Sequence, residues 1–587
     1  MDEPSVLIKR QSRPKTRWYV NFADFANMVK AFIGSNYLYV AFAFSQSGVV
    51  LGAIGMSVIA ALTDHCCHLI VKTKHHGIEK MIKKKKLKTQ PSSTGQYNSY
   101  DSVPKDSGVD EDDDEDVDAE SSAFIGRSAD IDDDSDSSDI ESEFETIDNS
   151  EIKEHMTSNM SYGDVGKLAF GGIGVAVVNF CIALTQFGFC VNYFIFIGNT
   201  VHALFPIHLC FNVSNTRVCK TIHDEDINGG ITTVLPTTTT SVNNYSTISP
   251  NSSTIAPNIT TTETSWSQIG ELIYTAPDLR ILVVCPIIIF IIFALIRSVR
   301  YLGVISVLAN LSILFGCVSV FFFLVIGFEV HKSIKFFNIK GFPIFFGMVT
   351  GAFEGIGLVI PVESSMVGNR HLFSAFLHGA ILFLTMLLAF FGILGYLRFG
   401  EGVHQMLNTN IPSGDPISVA VNIGICIGIL LTFPLQIFPV IEIVEKNLFA
   451  TGRLCGPKHT VDTSEEEALM SSDKSPLLDD QDHVVAHIPD SVPAWKRNIV
   501  RILIVLVAGG LAVVLRNNFA YVGAFVGAVG SSALAFILPC LFHLKLCWQD
   551  ISVFIKIKDF IIIIFGIFAS IISVISVIQR LVNEIDV

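Results

Sequence analysis

Apolar stretches of about twenty residues recur along this chain of 587 residues, each long enough to cross a bilayer at about 1.5 Å per residue. Within lipid no water satisfies the backbone, so a spanning segment must be a helix or part of a closed barrel. The runs are continuously apolar rather than alternating, which predicts an all-α polytopic membrane protein. Half of the residues are hydrophobic and only 16% are charged, which excludes a soluble domain with a single anchor. Met1 to Val20 is polar and basic and lacks the apolar core of a cleavable signal peptide.

Charge sets the expected topology. Lys9, Arg10, Arg13, Lys15 and Arg17 place an amino-terminal arm, residues 1–24, in the cytosol. Helices 1 and 2 follow within 25–71, broadly Phe25–Phe44 and Val49–Val71. A disordered acidic cytosolic insert is expected over 72–160, rich in Ser, Asp and Glu. It opens on His75-His76 and Lys83 to Lys86, a basic run that either meets anionic lipid or simply fixes topology. Helix 3 occupies 161–204, an external or luminal Thr/Ser-rich loop 205–278, and helices 4 to 8 the segment 279–445. A cytosolic loop over 446–497 precedes helices 9 to 11, within 498–580, and a short external or luminal tail, 581–587. Eleven helices put the two termini on opposite sides of the membrane.

The net charge of −15 is local. Residues 101–154 hold 23 acids against Lys105, Arg127 and Lys153, a charge of −20, so the remainder carries about +5. The acidity describes an insert, not a substrate, and nothing in the chain points to nucleic acid. Ser135, Ser137 and Ser138 are candidate phosphorylation sites within it. Four acceptor sequons, at Asn212, Asn244, Asn251 and Asn258, cluster in the 205–278 loop and predict glycosylation there. Cys210 and Cys219 in the same loop are candidates for a disulfide. Cys66-Cys67 beside His65 and His68 matches no zinc spacing, so no metal site is expected. No nucleophile–base arrangement marks an enzyme, and no cofactor is expected. Glu3-Pro-Ser-Val-Leu7-Ile8 and Asp473-Lys-Ser-Pro-Leu477-Leu478 have the form of acidic dileucine sorting signals. They favour an endolysosomal or vacuolar membrane over the plasma membrane, with sorting adaptors as partners.

One segment departs from the rest. In Gly351-Ala-Phe353-Glu354-Gly355-Ile-Gly357, followed by Pro361, glycines and a proline weaken a helix in mid-span and a carboxyl group sits where lipid is thickest. An ionised side chain there costs at least about 2.5 kcal/mol on insertion scales. The glycines at 347, 351 and 355 also make a helix-packing face, but that leaves Glu354 unexplained. Burial favours the neutral form of Glu354, so it is the candidate proton carrier; a permanently neutral structural acid is the alternative. Asp64, Glu363 and Glu442 fall near span ends, within reach of water. Five helices earlier, Gly34-Ser35-Asn36 interrupts the first span at its centre. Paired interruptions in two five-helix halves predict a binding site at the bilayer midplane. Half-helix N-termini can hold a substrate carboxylate and freed carbonyls its ammonium group. Gly34, Ser35, Asn36, Gly351, Phe353, Glu354 and Gly355 are the expected binding residues. Thr432, beside Pro434, either joins them or caps its own helix.

The string Phe353-Glu354-Gly355-Ile356-Gly357 with Pro361, Glu363 and Met366 resembles the sixth-helix signature of the amino acid/auxin permease family, nearest its proton-coupled branch. Leu431-Thr-Phe-Pro-Leu-Gln-Ile-Phe-Pro439 and Val522-Gly-Ala-Phe-Val-Gly followed by Leu534 to Lys545 are similar to it as well. The likeness runs from about Asn27 to Ile578, outside the long inserts. It implies a LeuT-like 5+5 inverted repeat with one extra carboxyl-terminal helix, and secondary transport of small neutral amino acids by alternating access. Protons are the implied coupling ion and sodium the alternative; a sensor signalling through the cytosolic segments is the competing class. The family's first-helix motif reads Gly-Ser/Thr-Gly with a proline soon after. Here Asn36 stands in the third position, and Ala41 is nearest the proline.

Overall fold

The computed structural model describes residues 18–32, 34, 36–89, 156–158, 160–205, 207–213, 216–222, 271–274, 276–297, 299–366, 368–411, 416–449 and 492–585. For 84–89, 207–222, 271–274, 299–304 and 584–585 it describes the backbone. Among these residues nine helices are long and apolar enough to cross a membrane. Two further apolar segments are a broken helix, α1 (Trp18–Phe32) and α2 (Tyr37–Ser47), and the short pair α5 (Leu279–Val284) and α6 (Ile287–Leu295), divided at Cys285-Pro286.

The nine begin with α3 (Val49–Thr89) and α4 (Tyr162–Ala203). After α6 come α7 (Val299–Val325), the broken pair α8 (Phe342–Ala352) and α9 (Ile356–Ser365), α10 (Phe373–Phe399), α11 (Pro416–Phe449) and α12 (Ala494–Val514). Then α13 (Phe519–Val526) runs through two π-helical stretches, Gly527–Ser531 and Ala533–Ile537, into α14 (Leu538–Cys547), and α15 (Val553–Ile585) ends the chain. Burial separates centre from rim. The α8–α9 and α13–α14 spans are 78% and 72% enclosed over their most apolar windows, against 22% for α15, whose Phe554, Ile561, Ile564 and Phe568 point outward.

Several boundaries differ from those read in sequence. The second helix does not stop at Val71 but continues to Thr89, so residues 72–89 are helical where an unstructured insert was expected. Lysine is a good helix former, and Lys72 to Thr89 holds no proline and one glycine, Gly77, too little to end the helix. Two compact units divide the chain within α3: Lys74–Met160 forms one, Met1–Thr73 with Ser161–Val587 the other. The 205–278 loop carries an antiparallel sheet of order β2-β1-β3, from β1 (Ile207–Val213), β2 (Thr216–Ile222) and β3 (Glu271–Tyr274). Among the described residues this sheet is the departure from an all-helical fold.

Local chemistry accounts for the breaks. Ser161 caps α4 through a reciprocal pair with Asp164. The helix then turns at Phe170 and Gly171, the latter at φ 60°, a conformation that favours glycine. Tyr162 donates its hydroxyl to the Leu534 carbonyl, 2.9 Å away, in the second π stretch. Glycine lets α8 and the π region meet backbone to backbone: a Cβ on Gly527 would collide with the Gly347 carbonyl, and one on Gly347 with the Ala524 carbonyl. At one end of the bundle Glu445 of α11 accepts from Arg501 at 2.6 Å and Arg497 at 2.7 Å, both of α12. Arg501 also donates to the Ala294 carbonyl at the end of α6, at 3.0 Å. Only 4% of Arg501 is exposed, so this arginine and Glu445 are buried, while Arg497 is partly exposed.

Candidate functional site

The two interruptions lie side by side. The sixth span unwinds over Phe353-Glu354-Gly355, and α9 restarts at Ile356 without a side-chain cap. The first unwinds around Gly34, and α2 restarts at Tyr37, also without a side-chain cap. The opening N–H groups of both half-helices therefore lack helical partners and make two patches of partial positive charge. Gly355 is required for the approach, because a Cβ there would run into Phe32 and the Ala31 carbonyl at the end of α1.

Asn36 bridges the breaks. Its side-chain amide donates to the carbonyls of Gly351, at 3.3 Å, and Ala352, at 3.4 Å, the last residues of α8. One turn on, Tyr39 donates to the Met348 carbonyl at 3.3 Å. Glu354 is held from α4, whose Gln186 donates to Glu354 Oε1 at 3.3 Å. Among the described residues, Gln186 is the hydrogen-bond partner of this carboxyl group and no ion pair reaches it.

Next to the bridge lies a small cavity lined by Asn36, Tyr39, Phe189, Asn192, Tyr193, Phe196, Ile429 and Phe519. Its volume, about 10 Å³, is near the least that holds one water. The cavity as it stands is too small for an amino acid. Two of the buried side-chain oxygens near the breaks, Asn192 Oδ1 and Gln186 Oε1, have no hydrogen-bond partner. Such acceptors are costly to bury empty and are satisfied by an ammonium group or water.

The expected site residues separate into groups. Gly34, Asn36, Gly351, Phe353, Glu354 and Gly355 converge on the paired breaks, while Ser35 lies outside the described residues. Thr432 donates to the Gly428 carbonyl at 2.7 Å within its own helix, one turn from the cavity-lining Ile429. Glu363, expected within reach of water, is 2% exposed, with Arg370 Nε 3.8 Å away. Glu442 is exposed and binds Lys446, and Asp64 accepts from His378. Asn212 lies in β1, and the β1–β2 register sets Cys210 opposite Cys219. Asn244, Asn251, Asn258, Glu3, Leu7, Ile8, Asp473, Leu477 and Leu478 fall outside the described residues.

Sequence reading missed the cavity walls. Tyr39, Tyr193 and Phe519 were hidden among equally apolar neighbours. Gln186 and Asn192, polar residues in mid-span of α4, are the signal that finds that face. Gln436, two residues past Pro434, reaches the Tyr193 hydroxyl at 3.3 Å and so links α11 to the same wall.

Two ties hold α1 to its surroundings. Asn369, in the turn after α9, donates to Asp24 at 2.7 Å and Asn21 at 3.0 Å. Lys30 donates to Ser306 of α7 at 3.1 Å.

The family described as "Transmembrane amino acid transporter protein" matches residues 21–88, 147–222 and 247–579. Among individual proteins, the chain is similar to "Amino acid transporter AVT3B" of Arabidopsis thaliana, 26% identical over 69% of this chain and 75% of that protein. It is also similar to "Vacuolar amino acid transporter 4" of Saccharomyces cerevisiae, 30% identical over 46% of this chain and 36% of that one. A third relative is "Proton-coupled amino acid transporter-like protein pathetic" of Drosophila melanogaster, 29% identical over 29% of this chain and 36% of the relative. With an extended match of this kind over paired broken helices, the chain belongs to the transmembrane amino acid transporter family, whose members are membrane carriers and not enzymes.

Proposed function

We propose that this protein moves small neutral amino acids across its membrane together with protons, by alternating access around the two breaks. The observation that carries the reading is the Asn36 bridge. It joins one break to the freed carbonyls of the other, beside two uncapped half-helix N-termini and the half-buried carboxyl group of Glu354. The N-termini suit a substrate carboxylate, and the carbonyls with Asn192 Oδ1 and Gln186 Oε1 suit its ammonium group. Aromatic walls from Tyr39, Phe189, Tyr193, Phe196 and Phe519 leave little room for a side chain, which favours small substrates. Counting α1–α2 and α5–α6 each as one interrupted span gives eleven, in keeping with a 5+5 repeat plus α15. The names of the plant and yeast relatives and the dileucine-like strings together favour a vacuolar or endolysosomal membrane, with the amino terminus in the cytosol.

Uptake into proteoliposomes under an inward proton gradient tests the reading. Accumulation of glycine, alanine or proline that collapses with a protonophore is expected. Accumulation that instead follows sodium, and stops when choline replaces it, would transfer the coupling to sodium. No flux across a broad amino acid panel, with binding retained, would make the protein a sensor.

A further inference from the structure

A second cluster of chemistry-bearing side chains lies apart from the breaks, where α3 faces α10. Asp64 and His68 stand four residues apart on one face of α3, and Ser374 and His378 stand four apart on the facing side of α10. His68 Nδ1 lies 2.9 Å from the Asp64 carbonyl, the contact of an N–H donor, which leaves the lone pair on Nε2. That Nε2 lies 2.9 Å from Ser374 Oγ. His378 Nδ1 meets Asp64 Oδ2 at 2.8 Å, and its Nε2 lies 3.4 Å from the same serine oxygen. Both imidazoles thus turn Nε2 toward one point, and their rings stack with centroids 4.4 Å apart.

One serine hydroxyl carries one proton and satisfies only one of these two acceptors. Asp64 Oδ1 is itself buried and without a hydrogen-bond partner. One imidazole lone pair and a carboxylate oxygen are therefore left unsatisfied at a place where donor atoms from Asp64, His68 and His378 lie within 4.8 Å of one another. A tetrahedral zinc ion with ligands at about 2.1 Å needs donors about 3.4 Å apart, a closure that side-chain rotation supplies. Asp64 must leave His378 Nδ1 to reach the ion, while the bond that orients a metal-binding histidine stays in place at His68, whose Nδ1 donates to the Asp64 carbonyl. His378 is 58% exposed at its side chain, so an ion has a way in.

We propose that Asp64, His68 and His378, with Ser374 Oγ alongside, form a site for one divalent transition ion of the zinc class. Bound there, the ion fastens α3 to α10. Imidazole with a single carboxylate suits zinc, whereas magnesium and calcium take oxygen ligands. Spacing could not reveal it, since His378 comes 314 residues after Asp64. It rests on neither the transport reading nor its coupling ion.

The test uses the full-length protein, purified without a polyhistidine tag, stripped with a chelator and equilibrated with micromolar zinc chloride. One retained equivalent by elemental analysis is expected, with a higher melting temperature than the stripped protein. Cobalt in place of zinc should give the intense visible bands of a tetrahedral centre. His68→Ala with His378→Ala should lose the equivalent and the melting shift while keeping the melting temperature of the stripped protein. Asp64→Asn should weaken binding about 10- to 100-fold, and Ser374→His should tighten it by adding a fourth ligand. No retained zinc, or zinc retained equally by the double variant, overturns the proposal.

Discussion

The side-chain amide of Asn36 donates to the carbonyl of Gly351, 3.3 Å away and 315 residues later in the chain. With its second contact, to Ala352, it occupies acceptors that face the break, the groups best placed to receive a substrate ammonium. On the proposed function, a substrate would displace the amide or share the carbonyls with it.

Replacing Asn36 by glycine therefore removes a competitor. A neutral hydrogen bond is worth about 1 kcal/mol net, so Asn36→Gly should lower the KM for uptake by about fivefold. Asn36→Asp, which sets an acceptor against the same carbonyls, should abolish uptake at neutral pH. Saturation curves in proteoliposomes check both.

Glu354 has Gln186 as its hydrogen-bond partner, and a glutamine in its place keeps a similar contact while losing the exchangeable proton. Glu354→Gln should reduce gradient-driven accumulation at least tenfold yet leave exchange of labelled for unlabelled substrate intact. Equal loss in both assays would mean that the carboxyl group is needed for binding or folding rather than for coupling.

Glu445 neutralises Arg501 in a setting where only 4% of the arginine is exposed. Glu445→Ala leaves that cation buried and alone, at a cost of about 3–5 kcal/mol. Glu445→Leu combined with Arg501→Leu should cost much less. Thermal unfolding of the two variants in detergent, measured side by side, separates a buried ion pair from a solvated one.

Gly527 has no room for a methyl group against the Gly347 carbonyl. Overpacking of this kind costs about 1–3 kcal/mol, so Gly527→Ala should lower the melting temperature, whereas Gly510→Ala, with open space around it, should not.

In the β1–β2 ladder Cys210 and Cys219 are directly opposed. A disulfide is expected between them, seen as two thiols that resist maleimide labelling until reductant is added. Labelling of both in the untreated, denatured protein would refute it.

The breaks were legible because glycine, proline and an acid in an apolar span are each expensive, and a helix-packing face, which would explain the glycines, leaves Glu354 unexplained. What Asn36 does there was not. A sequence shows that a side chain is added to the site, but not that it reaches across to the carbonyls of Gly351 and Ala352. The walls formed by Tyr193 and Phe519 were illegible for a different reason: in lipid every face of a helix is apolar, so hydrophobicity no longer tells inside from outside. The overrun of α3 to Thr89 went unread because a lysine run was taken for the end of order, when lysine is at home on a solvated helix. The π stretches leave no mark in composition and emerge only from the crowding of Gly527 and Gly530 against α8 and Thr185.

Where Gly347 and Gly527 touch, peptide lies against peptide with no side chain to act as a bearing. Surfaces so close cannot slide, so α8 and the π region beyond α13 form one stiff lever. On the proposed alternating access, rocking that exposes the cavity would pivot at the unwound joints beside Asn36 and Glu354 and carry α13 along with α8.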